Sequence, residues 1–180
     1  MSTLVMDREV YCPIDEVFAL HSDLTRAPEY WSHLDECWRL DGGEGQPQPG
    51  TRFGWRYNML GHGFTGEFVV RESQPGKRFV FEVRGGIRGM FTHEYRATAR
   101  TRTYVIVSVE YRIPLGVLGG AVNRLFVEHH NAVQGNLALD TLQSILEARA
   151  HSAVPASSQQ PRPQVLVSRP ASGESVLALA

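Results

Sequence analysis

The sequence predicts an α+β fold in which a curved antiparallel β-sheet wraps around a long C-terminal helix, with two short helices after the first strand. Two observations carry this prediction. Between residues 51 and 112, apolar and polar residues alternate in a series of segments that short turns separate, as expected for a meander with one buried face. From about residue 117 to 149, apolar residues recur every three or four positions, which is the spacing of an amphipathic helix.

The first part of the chain predicts one strand and the two short helices. "LVMDREVY" is typical of a short opening strand. In "CPIDEVFALHSD", Pro13 suits the first turn of a helix, and Asp15 and Glu16 suit its positive N-terminal end. The apolar stripe of this helix consists of Ile14, Val17 and Phe18, with His21 as a candidate member. "LTRAPEYWSHL" predicts a second short helix, broken at Pro28.

The strands follow in close succession. "DECWRLDGG" predicts a strand that runs into a loop rich in Gly and Pro, and five alternating segments come after it. Their apolar sides carry an unusual number of aromatic residues, and their other sides carry mostly Arg and Glu. The predicted inner set comprises Phe53, Trp55, Tyr57, Phe64, Phe68, Phe79, Phe81, Phe91, His93, Tyr95 and Tyr111. We interpret the charged side as a solvated face with cross-strand ion pairs.

The last element is the long helix, which must cover the apolar face of the sheet. Its predicted stripe is Val122, Leu125, Phe126, His129, Val133, Leu137, Leu142 and Ile145. Gly135 interrupts the pattern, and glycine within a helix costs about 1 kcal/mol relative to alanine. We therefore expect a bend or a close packing contact at Gly135. A sheet that grips one long helix in this way is the helix-grip arrangement.

A change in composition near residue 150 predicts a domain boundary. Residues 1–150 form one predicted folded domain. Residues 151–180 are rich in Ser, Pro and Gln and contain no aromatic residue. Such a segment buries too little apolar surface to offset the entropy of ordering, so we predict a disordered tail.

Composition and motifs exclude several classes of function. A net charge of −1 gives no electrostatic reason to expect nucleic acid or an anionic membrane as a partner. No apolar run approaches the length of a membrane span or of a signal peptide, so we expect a soluble, cytoplasmic protein without membrane insertion. Cys12 and Cys37 have no metal-ligand spacing and are expected to be reduced thiols. No metal or cofactor motif is present, and the oligomeric state is not indicated.

Four segments carry a resemblance to a known family: "PGTRFGWRYNMLG", "EFVVRESQPGKRFVFEVRGG", "VEYRIP" and "LALDTLQSILEA". They resemble the START-like (helix-grip) superfamily, and within it the polyketide cyclase/dehydrase and Coq10-like branch, from about Leu4 to Ala148. The resemblance implies a deep cavity between sheet and helix that holds one hydrophobic small molecule. The aromatic inner faces agree with such a pocket. The candidate ligand-binding residues are Trp55, Tyr57, Phe64, Phe81, Phe91, Tyr111 and Phe126.

The inward-facing histidine of "MFTHEYRAT" needs an explanation. The period of two places His93 on the buried side between Phe91 and Tyr95. His129 lies on the predicted stripe of the long helix and is expected to face His93 across the cavity. Three interpretations stay open: core histidines with satisfied nitrogens, groups that orient a ligand's carbonyl or hydroxyl, or a general acid or base. The candidate catalytic residues are His93, His129 and Tyr95.

These observations support two main functions. The first is binding of a hydrophobic, polyketide-like or isoprenoid-like molecule, with cyclisation or dehydration by acid/base chemistry that needs no cofactor. The alternative is a non-catalytic carrier or chaperone for a lipid or quinone, whose entry would be gated by "PLGVLGG" at 114–120. A third hypothesis is a protein-interaction module in which the tail recruits a partner.

Overall fold

The computed structural model describes the backbone of residues 2–59, 61–112 and 124–152, and the side chains of 2–58, 61–112 and 129–151. The predicted gating loop at 114–120, the side chain of Phe126 and nearly all of the predicted tail at 151–180 lie outside the described residues. The elements, in chain order, are β1 (Ser2–Val10), α1 (Ile14–Ser22), a 3₁₀ helix (Leu24–Glu29), β2 (Leu34–Arg39), β3 (Arg52–Met59), β4 (His62–Gln74), β5 (Arg78–Gly85), β6 (Arg88–Ala99), β7 (Arg102–Arg112) and α2 (Arg124–Ser152).

The seven strands form one sheet in the order β1-β7-β6-β5-β4-β3-β2. Each neighbouring pair is antiparallel. Strands β2 to β7 form a meander, and β1 pairs with β7, so the first strand lies beside the last. A long C-terminal helix and two short helices after β1 complete the α+β helix-grip fold that the sequence predicts.

The outer face of the sheet carries the charged residues, as predicted. Arg52 pairs with Glu67 at 2.6 Å, and Arg56 pairs with Glu36 at 3.1 Å. Exposed pairs of this kind contribute little, roughly 0–1 kcal/mol each. They make this face of the sheet polar and compatible with exposure to solvent.

Helix α1 covers one part of the inner face. Pro13 precedes the helix, and Asp15 and Glu16 lie in its first turn, as predicted. Phe18 is 1% exposed and packs edge-on against the rings of Phe79 and Tyr95. This helix therefore seals the sheet over the residues of β5 and β6 that it contacts.

Helix α2 covers another part of the inner face, with a side that matches the predicted stripe only in part. Leu142 is buried and Ile145 packs against the core, as predicted. Leu139, Leu142 and Leu146 are buried, whereas Val133 and Leu137 are 48% and 49% exposed. The prediction that Val133, Leu137 and His129 face the sheet is wrong, because the helix presents small and amide side chains there instead.

Gly135 is the point of closest approach between α2 and β1. A Cβ atom at this position would lie 2.4 Å from Met6 Sδ and 3.4 Å from Leu4 Cδ2. This confirms the predicted close packing contact. The missing side chain lets the helix lie against β1.

A glycine in β4 gives a direct test of the packing within the sheet. A Cβ atom at Gly66 would lie 1.9 Å from the carbonyl oxygen of Arg84 and 2.5 Å from Trp55 Cζ2, whereas one at Gly63 meets nothing within 4 Å. We expect Gly66→Ala to lower the free energy of unfolding by about 1–3 kcal/mol, because the backbone must shift to accept it. Gly63→Ala, the control in the same strand, should change it by no more than about 0.5 kcal/mol. Urea unfolding of both variants measures this, and equal losses would contradict the described packing.

Candidate functional site

A cavity of about 90 Å³ lies between the inner face of the sheet and helix α2. Its walls come from all seven strands, from Trp31 between the 3₁₀ helix and β2, from the β5–β6 turn and from one side of α2. The lining residues are Leu4, Met6, Trp31, Leu34, Trp55, Tyr57, Phe68, Val83, Ile87, Phe91, Val109, Tyr111, Asn131, Gln134 and Gly135. A water molecule needs roughly 10–15 Å³ of such space, so the cavity has room for several waters or a small ring compound.

The cavity exists because the side of α2 that faces the sheet changes along its length. In its C-terminal half, large apolar side chains such as Leu142 and Leu146 fill the space above the sheet. Nearer its N-terminus the same side presents Asn131, Gln134 and Gly135. Met6 and Leu4 of β1 approach the helix at Gly135, and no leucine of α2 is among the lining residues.

The lining is mainly apolar and aromatic, with a few hydrogen-bonding groups. The Trp31 indole N–H donates to the Tyr57 hydroxyl, and burial raises the pKa of Tyr57 to about 12. Tyr57 therefore stays protonated, and its own O–H remains available as a donor. Trp55 is 1% exposed, and its Nε1–H has no hydrogen-bond partner among the described residues.

Several lining residues are only partly buried. Those of intermediate exposure are Leu4, Trp31, Ile87, Phe91, Tyr111, Asn131, Gln134 and Gly135. The Oε1 atom of Gln134 accepts a hydrogen bond of 3.3 Å from Ser32 Oγ. This contact ties α2 to the residues that precede β2 beside the cavity.

The described lining includes no carboxylate, histidine, cysteine, lysine or arginine. Its aromatic rings can make dispersion contacts with a ligand, and its few donors can give hydrogen bonds to an oxygen atom. Such a surface suits an apolar ligand with one or two polar atoms.

Four of the predicted ligand-binding residues, Trp55, Tyr57, Phe91 and Tyr111, line the cavity. Phe64 and Phe81 are buried but are not among the lining residues. Phe81 lies behind the wall, where it stacks on Phe91 with ring centroids 4.9 Å apart. The side chain of Phe126 lies outside the described residues.

His93 points inward, as the alternation predicts, and is 3% exposed. It does not line the cavity. Its ring stacks on that of His21 from α1, with centroids 3.9 Å apart and an interplanar angle of 12°. The expectation that His93 faces the cavity needs correction because the strand period fixes the side of the sheet but not the helix that covers it.

Tyr95 links the two histidines. Its hydroxyl oxygen lies 3.1 Å from His21 Nδ1 and 3.5 Å from His93 Nδ1. One hydroxyl can donate its proton to one ring nitrogen and accept a proton from the other. The three side chains thus form a small buried polar network beneath α1.

Burial keeps all three rings of this network uncharged. It lowers the pKa of His21 to about 3 and that of His93 well below its usual value, with the neighbouring His21 as a further cause for His93. Burial also raises the pKa of Tyr95 well above its usual value. Of the three interpretations of His93, this geometry agrees with a core histidine that has a hydrogen-bonded nitrogen.

His129 is exposed on α2. The expectation that it faces His93 across the cavity is therefore wrong, since the inward side of the helix carries Gln134 and Gly135 instead. The catalytic roles of His93, His129 and Tyr95 remain predictions, and none of the three lines the cavity.

Sequence reasoning missed several of the site's residues. His21 was noted only as a candidate member of the α1 stripe, and its partnership with His93 had no signal in the sequence. Trp31, Asn131 and Gln134 line the cavity although they lie outside the alternating segments. Helix spacing from Leu139 and Leu142 back through Gly135 to Asn131 was a signal that could have identified the inward side of α2.

The buried histidines predict how stability depends on pH. A histidine with a lowered pKa binds fewer protons in the folded than in the unfolded state. Stability is therefore greatest above a pH of about 6.5 and falls as pH drops toward about 3, the folded pKa of His21. We expect a loss of about 1.4 kcal/mol for each histidine and each pH unit within that window.

Denaturant unfolding between about pH 7.5 and 5.5 tests this, above the range where most carboxylates titrate. His93→Gln removes one buried titrating ring and should reduce the pH slope of the unfolding free energy. His62 is exposed, so His62→Gln should keep the wild-type slope. A wild-type slope in His93→Gln would contradict the assignment.

The described residues contain no helix long and apolar enough to cross a membrane, and no group of three or more His, Cys, Asp or Glu side chains placed to hold a metal ion. Among curated protein sequences, no significant match is found.

The fold is similar to that of many solved structures. A Thermus thermophilus protein, TTHA0849, is 19% identical with a TM-score of 0.69, covering 83% of this chain and 99% of that one. The Zhui aromatase/cyclase from Streptomyces sp. R1128 is 12% identical with a TM-score of 0.69, covering 85% and 98% of the two chains. A START superfamily protein from Mycobacterium smegmatis is 15% identical with a TM-score of 0.60, covering 83% and 97%. At these identities the similarity establishes the START-like fold alone.

A family model provides the evidence at the level of sequence. Residues 1–147 match the model described as "Polyketide cyclase / dehydrase and lipid transport". The match spans the sheet, the short helices and most of α2. The chain belongs to this polyketide cyclase/dehydrase and lipid transport family.

Proposed function

We propose that the protein binds one hydrophobic small molecule in the cavity between the sheet and α2, and that binding itself is its primary activity. The observation that carries this proposal is the described lining: aromatic and aliphatic side chains, a few hydrogen-bond donors, and no carboxylate, histidine, cysteine, lysine or arginine. The description of the family includes lipid transport as well as cyclisation, and a carrier needs only a cavity of this kind.

The lining supports a flat, mainly apolar ligand with an oxygen acceptor. Trp31, Trp55, Tyr57 and Phe91 supply ring surface, and apolar surface removed from water contributes about 25 cal/mol per Å². The unpartnered Trp55 N–H is costly to bury, by about 1–3 kcal/mol. A carbonyl or hydroxyl oxygen that accepted from it would remove this cost.

Catalysis of cyclisation or dehydration is the second candidate function. One specific observation favours it, namely the Tyr57 hydroxyl. It accepts a hydrogen bond from Trp31, it stays protonated because burial raises its pKa to about 12, and it can donate to an oxygen that gains negative charge. In this version Tyr57 stabilises an enolate, and solvent or the substrate itself moves the proton.

Filling the cavity tests the binding proposal. We expect wild-type protein to enhance the fluorescence of N-phenyl-1-naphthylamine, a neutral apolar probe. Gly135→Leu should abolish this effect, because a leucine there has no room against Met6 and Leu4 and must push these lining side chains into the cavity. Asn136→Leu places the same side chain one residue further along, at an exposed position, and should leave binding intact.

A second cavity-filling variant is included because Gly135→Leu can also displace α2 from the sheet. Val109→Phe enlarges a buried lining residue of β7, and circular dichroism verifies that each variant folds. Probe binding that survives in both folded filling variants would place the ligand elsewhere.

Mass spectrometry of a ligand before and after incubation separates the two candidates. A carrier returns the ligand unchanged, whereas a cyclase or dehydratase returns a molecule of altered structure. If a linear polyketide mimic is converted, Tyr57→Phe should lower the rate by about tenfold or more, since it removes one donor to the developing charge. Conversion at the wild-type rate in Tyr57→Phe would exclude this role.

A further inference from the structure

Three arginines form a row across the outer face of the sheet at one end of β5, β6 and β7. Arg88 and Arg112 are directly opposite each other in the β6–β7 register. In the β5–β6 register Val83 pairs with Gly89, so Arg84 is the residue of β5 adjacent to Arg88. Three positive side chains therefore lie side by side on neighbouring strands.

Two of the three arginines carry like charges directly opposite each other without an ion-pair partner among the described residues. Like charges directly opposite in an antiparallel pair destabilise it. Elsewhere on this face, arginines such as Arg52 and Arg56 pair with a glutamate. The side chains of Arg88 and Arg112 are exposed and make no ion pair or hydrogen bond with the part of the chain that the structure describes. Arg84 pairs with Glu82 at 3.0 Å, and Glu82 is shared with Arg71.

The row lies in a depression of about 590 Å³. Two carboxylates, Glu82 and Glu110, also border it, so its three arginines leave an excess of one positive charge. Arginine's planar guanidinium matches the oxygens of phosphate and carboxylate and can bind them through two parallel hydrogen bonds.

The depression lies next to the candidate ligand cavity. Ile87 and Tyr111 line the cavity, and Arg88 and Arg112 are the residues that follow them in the chain. Because successive strand residues point to opposite faces, Arg112 lies on the other face of the sheet from Tyr111 of the cavity wall. The β5–β6 turn, which includes Ile87, lies between the two sites.

We propose that Arg84, Arg88 and Arg112 bind the phosphate or carboxylate group of an amphiphilic ligand whose apolar part occupies the cavity. This inference rests on the proposed cavity binding. It adds that the ligand class is anionic at one end and apolar at the other. The cavity supplies contact area, and the arginine row supplies orientation and preference for the charged end.

Competition binding tests the proposal with three compounds that share one alkyl chain: dodecanol, dodecanoate and dodecyl phosphate. For each compound, the measurement is the concentration that displaces N-phenyl-1-naphthylamine from the protein at low ionic strength. A charge-assisted hydrogen bond contributes about 1.5–3 kcal/mol, so we expect at least one of the two anions to bind about tenfold or more tightly than dodecanol. Added salt should reduce this advantage.

The double variant Arg88→Gln/Arg112→Gln should lose the advantage of the anions while binding dodecanol as the wild type does. The control Arg96→Gln/Arg100→Gln removes the same charge from exposed positions toward the other end of β6 and its turn, and should keep the advantage. If the wild type shows no anion advantage, or if the advantage survives in Arg88→Gln/Arg112→Gln, the anion site is overturned while cavity binding stands.

A separate outcome concerns the cavity. If none of the three compounds displaces the probe, cavity binding of alkyl chains fails, and inorganic phosphate alone then decides the anion site. Phosphate-dependent shifts of the Arg88 and Arg112 Nε–Hε resonances would retain an anion site without the amphiphile, whereas unchanged resonances would overturn it.

Discussion

The rest of the structure depends on one constraint: the apolar face of the seven-stranded sheet must be covered, and a short helix and a long helix share this task. The short helix α1 seals its part of the face tightly, with Phe18 packed against Phe79 and Tyr95. Among the described side chains of the long helix α2, the buried leucines that seal the face are Leu139, Leu142 and Leu146 of its C-terminal half. Nearer its N-terminus it approaches β1 through Gly135. The core is therefore filled beneath α1 and the C-terminal half of α2, and the cavity lies nearer the N-terminus of α2.

This division assigns different roles to the two groups of polar rings. His21, His93 and Tyr95 lie in the filled region, where burial keeps the histidines neutral and their hydrogen bonds connect α1 to β6. A buried network of this kind stabilises one arrangement of helix and sheet when its members are satisfied. Trp31, Trp55 and Tyr57 line the cavity, and Trp55 and Tyr57 each keep an N–H or O–H donor that no described residue uses. The chemistry of the site therefore belongs to the second group.

Much of the fold could be predicted because strand alternation is a strong signal. The period of two placed Phe91, His93 and Tyr95 inward, and the charged residues outward in cross-strand pairs. The phase of α2 could not be predicted by the same means. Val133, Leu137 and His129 are predicted to face the sheet because they continue an apolar pattern, yet the side of α2 that lines the cavity carries Asn131, Gln134 and Gly135. Apolar periodicity does not identify these positions, because two are amides and the third is a glycine packed against Met6.

Prediction of the candidate site from the sequence is limited in the same way. The sequence identified Trp55, Tyr57, Phe91 and Tyr111, since each lies on an alternating strand. It missed Trp31 and Asn131, because their positions depend on how the connections and α2 fold over the sheet. It also placed His93 at the cavity, because the side of a sheet does not reveal which helix lies above it.

Native mass spectrometry of the protein as purified from cells tests the central claim most directly. The measurement compares wild type, Val109→Phe and His93→Gln for a co-purified small molecule. The account predicts an apolar adduct in the wild type and in His93→Gln, and its loss in Val109→Phe. An adduct that persists in Val109→Phe but disappears from folded His93→Gln would contradict the account, because it would place the ligand at the histidine network and not in the aromatic cavity.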